Sequence, residues 1–253
     1  MASTTPPGLA KDYQNLASQY PLCKKCSMHK PPRTHHCRWC DACVLKFDHH
    51  CICKQHCVGF YNHRYFFQFC CFMAIGCMYA GTMGFREYQI ARLGEHRFSH
   101  LDIFFKPFIV LNAFGIINYI TYSIFIAALV VSFLLITLVC WHGRMISRGI
   151  TSVERLFNQD YTKQCTKQGF VFVNPYDLGL VENWKQFFNV RTVGEFIRRV
   201  LWPSTHLPSG NGIIWTNCNG QNLNKQTKSS SQTRTDSKQD IQPKEPMESM
   251  KDR

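Results

Sequence analysis

Two long apolar runs divide the chain. Between Arg64 and Arg86 stand 21 residues without a formal charge, YFFQFCCFMAIGCMYAGTMGF. About 20 residues of helix cross the hydrocarbon core of a bilayer, so the length suffices. Its Cys, Gly and Gln leave two readings open over 65–85, a membrane span or a buried helix. The second uncharged run covers 107–143 and is strongest over 116–139. It predicts a transmembrane helix at 114–141. Residues 1–20 are polar, a flexible lead-in with no apolar core for a signal peptide. From Gln221 the chain is rich in Lys, Gln, Ser and Asp without apolar periodicity, so 221–253 is expected to be disordered.

Two spans would place 1–64 and 144–253 on one face of the membrane and the 86–107 loop on the other. Lys and Arg number eight in 22–64 against four in 86–106. Positive charge collects on the cytosolic side, which predicts that both termini are cytosolic and the loop luminal.

The polar stretch before the first run carries the chemistry. Between Cys23 and Cys57 lie eight of the fourteen cysteines and six of the eleven histidines. Cys23, Cys26, His36 and Cys43 follow C-x2-C-x9-H-x6-C. Cys37, Cys40, His50 and Cys57 repeat the pattern fourteen residues later. Three sulfurs and one imidazole suit a closed tetrahedral Zn²⁺ site, so two structural zinc ions are expected in a unit over 21–64. The sets interleave, and neither can be removed without opening the other. Metal-type spacing argues against disulfides and for a reducing compartment.

Removing those eight ligands leaves Asp48, His49, Cys51 and Cys53 beside the second set. Cys51 stands fourteen residues after Cys37, as though opening a third repeat, but Lys54 occupies the next ligand position. One reading makes Cys51 a nucleophile, with His49 taking its proton and Asp48 holding the ring. The other makes it a spare zinc ligand. Spacing alone does not choose between them.

Charge adds one constraint. The formal net charge is +13 and favours anionic partners: nucleic acid, lipid or a phosphate-bearing cofactor. Nucleic acid is disfavoured by the apolar runs and by the lack of a C-x2-C…H-x3-H finger. Lys24, Lys25, Arg33, Arg38 and Lys46 could attract phosphates or simply form a solvated face.

The block resembles the cysteine-rich domain of the DHHC-family protein S-acyltransferases (palmitoyltransferases). The resemblance rests on Cys23-x2-Cys26, Lys30-Pro31-x-Arg33, His35-His36-Cys37-x2-Cys40-x2-Cys43 and Asp48-His49-His50-Cys51, with Cys57-Val58-Gly59 and Asn62-x3-Phe66 after them. It implies an α-helical integral membrane protein: two transmembrane helices, a small cytosolic zinc-stapled cysteine-rich domain and a helical C-terminal region at 144–220. It also implies acylation of Cys51 by a long-chain acyl-CoA such as palmitoyl-CoA. The acyl group would pass to membrane-proximal cysteines of protein substrates. Asp48 and His49 complete the implied catalytic set.

Two later motifs carry the resemblance to about residue 190. Thr151-Ser152-Val153-Glu154 is by itself a helix capping box; in the family, the second residue of this motif contacts the catalytic aspartate, which would be Ser152 on Asp48. Asn174-Pro175-Tyr176-Asp177-Leu178-Gly179 followed by Asn183-Trp184 reads as a surface turn or as the family's C-terminal brace, through Tyr176 and Asn183. The wording of the C-terminal part, including 206–212, resembles the Abl-philin-like branch, which implies the endoplasmic reticulum or the Golgi.

Two departures are expected to matter. Where the family reads Pro-Trp, an aliphatic residue and two Asn after the nucleophile, this chain has Ile52-Cys53-Lys54-Gln55-His56. The family also has four spans, and only the last two are expected here. A catalytically impaired zinc-binding membrane adaptor is therefore the alternative to an active acyltransferase.

Overall fold

The computed structural model describes residues 1–13, 20–93, 116–202 and 204–215. The tail expected at 221–253, and the part of the expected loop from 94 to 107, lie outside the described residues.

Among the described residues, four short strands form two separate antiparallel hairpins. Strand β1 (His35–Cys37) pairs with β2 (Ala42–Val44), and β3 (His49–Cys51) with β4 (His56–Val58). Three-residue strands bury too little apolar surface to stand alone. A tight turn sits where each hairpin changes direction, and the chain there enters the left-handed region, at Asp41 (φ 46°) and Gln55 (φ 55°).

Gly59 then brings the chain onto the first helix. A Cβ at this position would lie 2.6 Å from Val44 Cγ1 and 2.8 Å from the Pro7 carbonyl oxygen, so only glycine fits. Asn62 is fully buried. Its Oδ1 accepts from Gly59 N at 2.9 Å, and its Nδ2 donates to the Cys57 carbonyl at 3.0 Å. Asn62 thereby ties the end of the second hairpin to the start of α1 (His63–Leu93).

Helix α1 packs along α2 (Ile116–Ser147). Small residues of α1 allow close approach: Gly81 faces Leu129, Gly84 faces Phe125, and Ser132 Oγ donates to the Ala74 carbonyl at 3.5 Å. Both helices are long and apolar enough to cross a membrane, over His63–Arg86 and Tyr122–Ser147. Most of the α2 span points outward, with Ile124, Phe133 and Leu134 exposed. Hydrocarbon, not a protein core, is the surrounding that suits such a surface. Both helices run further than the apolar runs alone suggested.

Beyond α2 come α3 (Ser152–Lys167), α4 (Leu180–Phe188) and a short α5 (Val193–Phe196) that continues as a π turn over Ile197–Leu201. Phe187 and Phe188 of α4 pack with Phe67 of α1, Ile146 of α2, Val190 and Val200. This apolar cluster docks the C-terminal region onto the ends of both membrane helices.

Candidate active site and metal centres

The interleaving of the two ligand sets follows from the period of two along a strand. In the first hairpin His36 faces Cys43 across the ladder, and in the second His50 faces Cys57. Each facing pair belongs to one ligand set. Cys37, next to His36, points to the other face and joins the second set. The gathered atoms lie close: Cys26 Sγ to Cys43 Sγ 3.4 Å, Cys40 Sγ to His50 Nδ1 3.4 Å, Cys57 Sγ to Cys40 Sγ 3.5 Å. Within each set all four ligand atoms fall within 4.8 Å of one another. Zn–S bonds of about 2.3 Å would set sulfurs about 3.8 Å apart on a tetrahedron, so the donors fit Zn²⁺. Burial and neighbouring sulfurs push the Cys43 and Cys57 thiols up, and thiolates crowded this way need a cation between them. His36 turns Nδ1 to the sulfurs, and its Nε2 stands 3.4 Å from Asp41, a carboxylate placed to orient a ligating ring.

The opposite face of the second hairpin carries the catalytic candidates. His49 and Cys51 lie two apart on β3 and share that face, while His50 between them turns to the metal set. Asp48 is fully buried. Its Oδ2 lies 2.7 Å from His49 Nδ1 and accepts from Ser152 Oγ at 3.0 Å; its Oδ1 accepts from Ser152 N at 2.8 Å. Burial opposes ionisation of Asp48, but His63 nearby, the His49 hydrogen bond and His142 outweigh it and hold the carboxyl well below the usual range. An ionised Asp48 only accepts, so His49 Nδ1 must carry a proton, and Nε2 is the nitrogen not held by Asp48.

Cys51 is buried in an apolar cluster with Val58, Phe66 and Cys70, against Leu138 and Val139 of α2. It therefore sits where the hairpin meets both membrane helices. The residues replacing the family's Pro-Trp behave differently from that pair: Ile52 and Cys53 are exposed and cover nothing. Lys54 turns inward over Phe66, with its buried Nζ unpartnered.

Helix α3 opens with a capping box, and its first turn also serves the site. Thr151 caps and Glu154 closes the box, and Ser152 in the same turn contacts Asp48. Glu154 also binds Arg33 through two contacts of 2.5 and 2.6 Å. Arg33 donates further to the Gly149 carbonyl at 2.8 Å and lies over the rings of Tyr176 and Trp215. Arg33 is thus buried and paired, not part of a solvated basic face. Gly149 is held at φ 64°, with the Tyr176 carbonyl where a Cβ would be. Asn183 is buried, donating to the Ser147 carbonyl at 2.9 Å and to Asp177 at 2.7 Å and accepting from Leu178 N at 3.0 Å.

Comparison with known proteins places this geometry. Residues 17–159 match the DHHC palmitoyltransferase family. The chain belongs to that family. It is 42% identical over 217 residues to palmitoyltransferase ZDHHC16 of Mus musculus, an alignment covering 85% of this chain and 58% of the mouse protein. It is 39% identical over 227 residues to palmitoyltransferase ZDHHC16 of Homo sapiens, covering 85% and 60%. Palmitoyltransferase ZDHHC16A of Danio rerio is 35% identical over 246 residues, covering 85% and 63%. These relatives agree with the Abl-philin-like resemblance. The chain spans about three fifths of the length of the curated relatives it matches.

Sequence reasoning missed His63 and His142. Both are buried, with His63 Nε2 3.9 Å and His142 Nδ1 4.0 Å from Asp48 oxygens. Asp48, His63 and His142 bring donor atoms within 4.8 Å, yet Asp48 already accepts from Ser152 and His49, so we read the trio as a polar surround of the carboxylate. His63 fills an unspecified position of Asn62-x3-Phe66 and His142 lies in no quoted motif, so only the folding of α1 and α2 onto the hairpin brings them in. Arg33 was visible as a family position, but its partner Glu154 lies 121 residues away.

Proposed function

We propose that this chain is a protein S-acyltransferase that accepts a long-chain acyl group from acyl-CoA on Cys51 and passes it to cysteines of membrane-proximal protein substrates. The observation that carries the reading is the Asp48–His49 pair at 2.7 Å with Cys51 on the same strand face. His49 Nε2 takes the Cys51 thiol proton while Asp48 holds the ring. The thiolate attacks the thioester carbonyl, the C–S bond to CoA breaks, and the leaving CoA thiolate takes the proton from His49 Nε2. The acceptor thiol repeats the exchange, giving its proton to the freed nitrogen, which returns it to the departing Cys51 thiolate. One thioester replaces another, so positioning and thiolate formation carry the rate.

The apolar cluster around Cys51 offers the acyl chain a path along the membrane helices. Ser152 holds Asp48; Tyr176 and Asn183 brace the segments that carry it. The eight Cys and His donors would hold two zinc ions whose coordination is closed, so their contribution is the shape of both hairpins. The basic balance of 22–64 favours a cytosolic face for this unit and for both termini, in the membrane of the endoplasmic reticulum or Golgi. The boundaries read from the sequence, 21–64 for the zinc unit and 144–220 for the C-terminal unit, are part of this proposal.

Exposed Ile52 and Cys53 favour a second reading, a zinc-binding membrane adaptor without turnover. One labelling experiment separates the two. Detergent-purified, zinc-loaded protein is incubated with a palmitoyl-CoA analogue and treated with neutral hydroxylamine. Label that hydroxylamine releases, absent in Cys51→Ser and kept in Cys53→Ser, supports the enzyme. Label that follows Cys53, or no label on a zinc-loaded chain, rejects it in favour of the adaptor.

A further inference from the structure

One open cleft at the membrane boundary gathers three arginines. It lies where the end of α2 meets one side of α3, with the 174–177 segment as its third wall, and it offers about 500 Å³. That is inside the range of about 300–1,000 Å³ usual for small-ligand sites. Trp141, Arg144 and Arg148 follow one another at helical spacing, and so do Arg155, Asn158 and Thr162 on α3. Arg144 and Arg148 are exposed and Arg155 is partly so, which opens their donors to a ligand. The Arg155 guanidinium lies 4.0 Å over the Trp141 ring, a contact that takes up none of its N–H groups. Among the described residues, none of the three arginines has a carboxylate partner. The one carboxylate that lines the cleft among those residues is Asp177. Its Oδ1 already accepts from Asn183 Nδ2 at 2.7 Å and from Gly179 N at 3.0 Å. Positive charge therefore prevails in the cleft.

Depth selects the occupant. The α2 span runs to Ser147, and Trp141 near its end is exposed. A tryptophan placed this way sits at the level of the lipid headgroups, so the arginines just beyond it stand among phosphates. A guanidinium fork matches phosphate oxygens in pairs. Three of them suit a phosphomonoester, which carries more charge than the diester of an ordinary phospholipid. We propose that this cleft seats the phosphomonoester headgroup of an anionic lipid, drawn from the leaflet on the zinc-unit side. Leu138, Val139 and His142, which meet Cys51 and Asp48, lie on a different face of α2. The site is thus separate from the catalytic candidates. A headgroup held there joins the end of α2 to the first turn of α3, the turn whose Ser152 holds Asp48. The proposal requires α2 to lie in a membrane and does not require turnover at Cys51.

The test uses the full zinc-loaded chain in neutral detergent, with bound lipid counted by native mass spectrometry. Phosphatidylinositol 4-phosphate is compared with phosphatidylinositol, which has the same ring and chains but lacks the monoester. The monoester lipid is expected to bind at least about tenfold more tightly. Arg148→Gln and Arg155→Gln, on separate elements, should each remove most of that preference. Lys163→Gln removes the same charge from an exposed position on α3 outside the cleft and should keep the preference. Equal binding of the two lipids overturns the proposal, as do arginine variants that hold their zinc and keep the wild-type preference. A Lys163→Gln chain that loses the preference as they do also overturns it, since general positive charge then accounts for the binding. Displacement by CoA or by inositol 1,4-bisphosphate as readily as by the lipid itself would assign the cleft to a soluble phosphate and overturn the lipid site. Should one arginine variant fail to load zinc, the other decides.

Discussion

Residues 34–37 read Thr-His-His-Cys and residues 48–51 read Asp-His-His-Cys, fourteen positions apart. Both form the opening of a hairpin, and in both the second histidine faces the last cysteine of its ligand set. The turns that follow match as well: Asp41 and Gln55 both adopt left-handed φ, and so does Ser27, fourteen residues before Asp41. The difference lies on the other face. In the first hairpin Thr34 leaves its buried hydroxyl unpartnered, His35 stacks on Phe157, and Cys37 is delivered to the second ligand set. In the second hairpin Asp48 holds His49 and is itself held by Ser152, and Cys51 has no further set to join because Lys54 stands where a sulfur would be. A repeated hairpin carrying metal-type donors thus becomes a candidate active site through one carboxylate and one broken repeat.

The first turn of α3 touches both copies. Glu154 grips Arg33, just before the first copy, and Ser152 grips Asp48 in the second. The two contacts should therefore separate stability from chemistry.

Removal of zinc is expected to have the largest effect. A structural zinc contributes on the order of 10 kcal/mol of apparent binding energy. Because Cys37 ties the first hairpin to the second set, Cys43→Ser should release both ions together, measured by metal release and by loss of amide protection in 21–64. Release of one ion with the other retained would show two independent units. Next comes Glu154→Gln, which leaves Arg33 buried without its anion and should cost about 3–5 kcal/mol in denaturant unfolding. Zinc content and the acylation rate per folded molecule should stay near wild type. Asn183→Ala removes three hydrogen bonds at a buried site and should cost about 1–3 kcal/mol in the same assay. Ser152→Ala should be the mildest for stability, about 1 kcal/mol, yet slow acyl-enzyme formation roughly tenfold because Asp48 loses one of its holders. A Ser152→Ala chain that loses stability but not rate would place Ser152 with Glu154 as a purely structural contact.

Much of this was legible in the chain itself, for reasons that differ by region. The metal sets are local: their spacing is a strand period plus a tight turn, so the pairing of His36 with Cys43 and of His50 with Cys57 is written in the pattern. The contact between Ser152 and Asp48 was legible only through the family resemblance, since nothing local relates residues 104 apart. His63 and His142 stayed hidden because His63 is an unspecified position of Asn62-x3-Phe66 and His142 sits in an apolar helix without a motif, and their nearness to Asp48 depends on how α1 and α2 cross. Arg33 was legible as a family position and as a basic residue that could attract phosphates or join a solvated face, but not its enclosure by Glu154, Tyr176 and Trp215. The cleft of Arg144, Arg148 and Arg155 gave no sequence signal, because its walls meet only in the fold.

The central claim is that the carboxylate of Asp48 turns the second hairpin from a metal staple into a catalytic unit. The most direct test copies the first hairpin onto the second, as Asp48→Thr, and follows first-turnover release of CoA from palmitoyl-CoA beside zinc content. With two zinc ions retained, release should fall roughly a thousandfold, as expected when a base loses the group that sets its tautomer. Release at the wild-type rate from a chain holding two zinc ions would contradict the account.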